Sequence, residues 1–456
     1  MKYLIKNGTV CFEEGLKKSD ILIDSGKFVS FENSDSVIPE NIIDADGCYI
    51  LPGMIDIHTH LDDKIGNYYL ADTYKTGSEV AIKNGITTIF SFITQKLNDT
   101  LENAVNTAKS KANGNSYCDY MWHLTPVSFE DSDWIFILDL IEKGFKTFKF
   151  YTTYKNAGIF CDYEQLEKIF IKLNNSGVTI LVHCEDNEVI ENAVTNIDLQ
   201  NPFSHTLLRP KDAEIAAVNK ILNISGKYKI KIHIVHVSTS EGAEILNNVK
   251  EKILTTCESA PHYLILSDDY LKRKDGFKWI CSPPLRDKLN VKELREKALE
   301  GYFDVFASDH CTYFKKDKNN KESKKDVRLV PSGVAGLGSL PHLTFNLYKN
   351  NLDIALNQMR KTLSENPAKI TGIYPRKGTI KVDSDADLSI LKIGEVEKNI
   401  QSSISDVYET YDNFKTNLDF EYVFLRGEIV VKNNMIIDAE KMDGKCIVEG
   451  DNLLNR

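Results

Sequence analysis

Eight short apolar runs recur along the middle of the chain: Met54–His60, Thr87–Ile93, Tyr117–Leu124, Phe145–Tyr151, Val178–His183, Ile230–Val237, Ile253–Glu258 and Val305–Ser308. Each is followed by a segment long enough for a crossover helix or an excursion. Strand-length runs that alternate with amphipathic stretches mark βαβ units and a parallel sheet. Eight such units predict an α/β fold, a (β/α)8 TIM barrel with insertions, over residues 53–375. The flanks have a different texture. Residues 1–52 carry short strands punctuated by Gly and Asn (Tyr3–Ile5, Ile21–Ile23, Tyr49–Leu51), and residues 376–436 read the same way (Asp387–Leu391, Tyr422–Leu425). These two stretches are expected to pair into one small β-sandwich built from both chain ends. Residues 437–456 are expected to be a tail that docks on a neighbouring molecule or frays.

Composition narrows the function classes. A chain of 456 residues with 42% hydrophobic side chains can bury a charged site and still fold. The formal net charge of −10 argues against a nucleic-acid partner, which would need a clustered basic face. The only basic run, Lys315 to Lys325, is interleaved with Asp and Asn and reads as a solvated loop. Nine cysteines lie scattered without CxxC spacing, the pattern of reduced thiols in a cytoplasmic enzyme. Met1–Val10 reads as a strand and turn, not a signal peptide, and no run reaches the length of a membrane span.

Six residues at the ends of the expected strands carry the chemistry. On a strand, residues i and i+2 point to one face, so His58 and His60 of Ile57-His58-Thr59-His60 project together at the end of the first strand. Two imidazoles on one face suit a divalent metal; alone, one of them would as readily be a hydrogen-bonded core histidine. Lys149, between Phe148 and Phe150, is either a lysine that snorkels to water or one buried with its charge removed. Context favours the second reading. His183 ends the fifth strand, His236 the sixth and Asp309 the eighth, where barrel enzymes place active-site groups. His123, His205, His233 and His342 lack such company and read as structural. His310, beside Asp309, reads as a supporting or loop residue.

With those residues in view, the chain resembles the cyclic amidohydrolases of the amidohydrolase superfamily, and within them the dihydropyrimidinases and hydantoinases. The resemblance runs from Leu51-Pro52-Gly53-Met54-Ile55-Asp56-Ile57-His58-Thr59-His60 through Ser282-Pro283-Pro284-Leu285-Arg286, Ser308-Asp309-His310-Cys311 and Asn366-Pro367-Ala368-Lys369-Ile370 to Pro375-Arg376-Lys377-Gly378-Thr379-Ile380. It implies two divalent metal ions, usually zinc, with His58, His60 and Asp309 on the first, His183 and His236 on the second, and carboxylated Lys149 bridging them. It implies attack of a bridging hydroxide on a ring amide, Asp309 as proton shuttle, Tyr154 as donor to the developing oxyanion, and ring contacts near Ser282 and near Ser332. A homo-oligomer, tetramer or dimer, is implied as well.

The chain also departs from that pattern. Its Pro331-Ser332-Gly333 loop has Ser where the family commonly has Asn, and Gly336–Leu340 lacks an expected acidic residue. His262 stands where hydantoinases commonly carry Gln, a feature shared with dihydroorotases and allantoinases. Against a dihydroorotase, Asp62 and Asp63 follow the histidine pair where an Arg would grip a substrate carboxylate. Allantoinase or dihydroorotase chemistry therefore stays open beside a dihydropyrimidine, hydantoin or related cyclic ureide as substrate. A non-catalytic scaffold of the same fold is the alternative from another class; retention of all six metal positions speaks against it.

Overall fold

The computed structural model describes residues 2–31, 39–193 and 196–448. Its centre is a ring of eight parallel strands, β1 (Met54–Asp56), β2 (Ile86–Thr94), β3 (Asp119–Thr125), β4 (Thr147–Tyr151), β5 (Thr179–His183), β6 (Lys231–Ile234), β7 (Thr255–Ser259) and β8 (Val305–Phe306). Neighbours in sequence are neighbours in the sheet. The seam between β8 and β1 is drawn together just beyond the strands, where His310–Cys311 pairs in parallel with Thr59–His60. The Ser308 N–H adds a bond of 3.2 Å to Asp56 Oδ1. β3, β4 and β5 are buried at every position, as expected of parallel strands covered on both faces.

The outer helices follow from ordinary patterning. Helix Tyr163–Leu173 buries Leu166, Ile169, Phe170 and Leu173, the 3-4 spacing of a single apolar stripe. Asp162 starts it by accepting the Gln165 N–H at 2.8 Å, satisfying one of the four unpaired amides of the first turn.

Both chain ends build two sheets outside the barrel. A four-stranded sheet runs in the order Lys27–Ser30, Ile21–Asp24, Tyr3–Lys6, Asn41–Asp44. A seven-stranded sheet joins Tyr49–Pro52 and Thr9–Phe12 to Leu388–Asn399 and Lys415–Leu425. Between them lies a separate apolar core that includes Ile5, Ile21, Phe28, Ile50, Leu388 and Phe424. A buried charge cluster fastens this sandwich to the barrel. Lys377 Nζ meets Asp119 at 2.7 Å, Asp385 at 3.3 Å and Asp387 at 2.5 Å, and Arg426 closes on Asp119 from the other side.

Two sequence expectations are revised. The described part of the tail docks on its own barrel: the Tyr120 N–H donates to Lys445 O at 2.9 Å and the Ile447 N–H to Tyr120 O at 3.1 Å. Gly444 makes that approach possible, since a Cβ there would lie 1.9 Å from the Cys118 carbonyl oxygen. Residues 449–456 of the expected tail lie outside the described residues. The basic run is also only partly solvated. Lys315–Lys318 forms a helical turn, and Lys318 is buried, its Nζ donating to the carbonyls of Lys278 at 3.1 Å and Ile280 at 3.0 Å. Charge patterning along the run cannot show that one lysine of several faces two carbonyls that need a donor.

Candidate active site

The C-terminal ends of β1, β4, β5, β6 and β8 bring the six expected ligands together. His58 Nε2 lies 3.3 Å, and His60 Nε2 3.8 Å, from Asp309 Oδ1. These three offer ligand atoms that all lie within 4.8 Å of one another, a group able to hold a metal ion. A second pair converges beside them: His183 Nδ1 faces His236 Nε2 at 2.8 Å. The His58 and His236 rings are 5.3 Å apart, so the two groups adjoin.

Lys149 occupies the space between. Its Nζ lies 5.2 Å from the ring centroids of both Phe92 and Tyr151, and that buried nitrogen has no hydrogen-bond partner among the described residues. Burial pulls its ammonium well below the usual lysine range, although Glu258 and Asp309 oppose the shift. An unpaired amine there is costly as an ammonium and nucleophilic when neutral. Burial and the Lys149 charge likewise hold the His58 and His60 rings neutral, His60 down to about 3. Burial lowers His183 to about 4 against the pull of Glu185. Neutral imidazoles are the form that ligates metal. His58, His60 and Asp309 therefore fit a divalent ion by donor chemistry and convergence, and the adjoining His236 offers Nδ1 as a second orphaned nitrogen.

Sequence reasoning missed the carboxylates behind the histidines. Glu258, at the end of β7, accepts from His58 Nδ1, from His233 Nε2 at 3.1 Å and from the His236 N–H at 3.3 Å. Glu185 accepts from His183 Nε2 at 2.7 Å. Each fixes which ring nitrogen of His58 or His183 faces the site, the usual partner of a metal-bound imidazole. Both could have been found by the rule that found the ligands, because both are acidic residues at strand ends. His233, read as structural, serves by holding Glu258. His310, read as supporting, donates from Nε2 to Asp72 at 3.1 Å and accepts from the Gly336 and Leu337 N–H groups at 3.2 Å each.

Three residues of the site hold an unusual backbone conformation. Tyr154, His236 and Asp309 have φ of 66°, 40° and 48°, in the left-handed region that bulky residues avoid. Tyr154 sits beside His183, ring centroids 5.2 Å apart, and burial raises its phenol to about 12. Ser282 Oγ lies 3.4 Å from His205 Nε2, the same nitrogen that bonds Cys281 O at 2.8 Å. The Ser332 side chain makes no hydrogen bond among the described residues, but its loop is tethered two residues short of Ser282, through the Gly333 N–H to Ile280 O at 2.9 Å. Both ring nitrogens of His262 are buried and unpaired, and burial pushes that imidazole down to about 3. Nothing joins it to the histidine cluster.

With this geometry established, comparison is informative. The model of the amidohydrolase family matches residues 49–430, which take in the whole barrel and all six ligand positions. The chain belongs to the amidohydrolase family. Among similar proteins of this family, the D-hydantoinase of Geobacillus stearothermophilus is 30% identical over 449 residues, 96% of this chain and 94% of that one. That of Ralstonia pickettii is 30% identical over 98% of both. The crystal structure of the dihydropyrimidinase from Brevibacillus agri superposes with a TM-score of 0.89 at 29% identity, covering 96% of each chain. An L-hydantoinase from Arthrobacter aurescens gives 0.83 at 25% identity over 96% and 97% of the two chains.

Proposed function

We propose that this amidohydrolase opens the amide bond of a small cyclic ureide, a dihydropyrimidine, a hydantoin or a close analogue. The observation that carries the reading is the convergence of His58, His60, Asp309, His183 and His236 around a buried, partnerless Lys149 Nζ. In this reading two divalent ions, zinc being one of those that imidazole and carboxylate donors accept, would be held by those residues together with Lys149, whose neutral amine would add carbon dioxide and lose a proton to give an anionic carbamate. When bound, such ions supply a water acidified towards neutrality and a Lewis acid for the amide carbonyl.

The chain's own groups do the rest. Asp309, 3.3 Å from His58 Nε2 and 3.8 Å from His60 Nε2, takes the proton and returns it to the leaving ring nitrogen. The Tyr154 hydroxyl donates to the oxygen on which charge develops. Ser282 and the backbone around Ser332 hold the ring amides. The relatives' names, D-hydantoinase and dihydropyrimidinase, support the ring class. A homo-oligomer, tetramer or dimer, belongs to the same reading. Its support is the exposure of Ile135 and Leu138, three residues apart on helix Asp131–Glu142.

The test is metal content per chain beside turnover of dihydrouracil, hydantoin, allantoin and dihydroorotate. Two metals with ring opening of dihydrouracil or hydantoin is the expected result. Turnover of dihydroorotate or allantoin alone would move the substrate assignment, and a chain that holds no metal would sink the proposal.

A further inference from the structure

Arg209 takes no part in the reaction as drawn, yet its guanidinium reaches Tyr154 and the Glu185 carboxylate that holds His183. Nε lies 3.1 Å from each oxygen of Glu185 and Nη2 lies 2.5 Å from Oε2, the oxygen that accepts from His183. The face of the same guanidinium covers the Tyr154 ring, with its central carbon 4.9 Å from the ring centroid. Glu185 is fully buried and the Arg209 side chain is only 12% exposed, so both contacts are shielded from water. The arginine is anchored from behind too. Its carbonyl accepts from Arg286 Nη1 at 2.6 Å, and Arg286 Nε donates to Ser238 Oγ at 3.0 Å.

Tyr154 needs such a support. It leads from β4 into the exposed turn Lys155–Ala157 and holds the left-handed conformation unaided by glycine. Its other close aromatic neighbours are Tyr151, at 5.8 Å, and His183, neither of which carries charge. We propose that Arg209, braced by Glu185, is the positioning residue that aims the Tyr154 hydroxyl at the developing oxyanion. A planar fork suits both tasks at once: its edge satisfies a carboxylate while its face stacks on a ring, which a lysine cannot do together.

This inference rests on the reading of Tyr154 as a hydrogen-bond donor in the reaction, and the experiment separates the two. Arg209→Lys, Tyr154→Phe and the double variant are compared with the full chain for kcat, KM and metal content. Arg209→Lys is expected to keep its metal and its KM within about twofold, and to lose about tenfold in kcat. The double variant is expected to be no slower than Tyr154→Phe, within about twofold, because residues that act as a unit are not additive. Should Arg209→Lys lose its fold, Arg209→Gln, whose amide can still donate to Glu185, carries the same comparison. Losses that multiply in the double variant, a normal kcat in Arg209→Lys, or recovery of its kcat by added metal would each overturn the inference. A normal kcat in Tyr154→Phe would instead remove Tyr154 from the reaction and take the inference with it.

Discussion

At the scale of single residues, the site is a set of groups that would be unstable apart. Lys149 is the sharpest case, since its buried amine has no hydrogen-bond partner among the described residues. Lys149→Ala is expected to lose metal and turnover together, with partial rescue by a short carboxylic acid that supplies the missing bridge. Metal analysis with and without the acid checks this; a metal-replete, active variant would exclude the bridging role. Asp309→Asn is expected to cut kcat by about 10²-fold or more, the usual worth of a placed acid–base group, while keeping much of the metal. The carboxylates behind the histidines act more gently. Glu258→Gln keeps the shape but weakens the hold on the His58 Nδ1 proton, and is expected to lower metal affinity about 10- to 100-fold in a competition titration with a chelator.

Elements explain how those residues meet. β1 and β8 are joined just beyond their ends, and that short pairing sets Asp309 against His58 and His60. Asp72 secures the junction by accepting from His310, Thr312, Ser403, Ser405 and Thr76, which come from three separate stretches of chain. Burial opposes its charge, but the His310 N–H and the serine hydroxyls hold the carboxyl well below its ordinary range. A carboxyl with a lowered folded pKa stabilises the fold above its unfolded value, near pH 4, and that stability drains away as pH falls through the folded value. Asp72→Asn is therefore expected to be less stable than the parent at pH 7 and to lose less on acidification from pH 5 to pH 2, as read by denaturant unfolding. The barrel strands were legible in the sequence because short apolar runs recur between helical stretches, and the residues expected as ligands were picked by a positional rule, runs that end in His or Asp. Glu185 and Glu258 also lie at or just past strand ends, but position alone does not say which histidine nitrogen each of them holds. Arg209 lies in a connection between helices, where no periodicity points, and the inward turn of Lys318 depends on carbonyls that only the fold brings near.

For the whole molecule, the joint between barrel and sandwich is electrostatic as well as apolar. Lys377→Met would leave Asp119, Asp385 and Asp387 facing one another in a buried space. It is expected to cost about 3–5 kcal/mol, the usual penalty for stripping one partner from buried charges, seen as a lowered midpoint in thermal or urea unfolding. Adding Asp387→Leu is expected to recover part of that loss. Interlocked ends also bear on synthesis. A ribosome releases strands Tyr3–Lys6 and Thr9–Phe12 first, but Leu388–Asn399 and Lys415–Leu425 almost last. Until then Tyr49–Pro52, which pairs with Thr9–Phe12 on one side and with Leu388–Asn399 on the other, presents a bare edge, and β3 lacks the residues 445–447 that finally cap its start. The nascent chain must carry these unpaired edges for most of its translation, a period of exposure in which a chaperone has the most to protect.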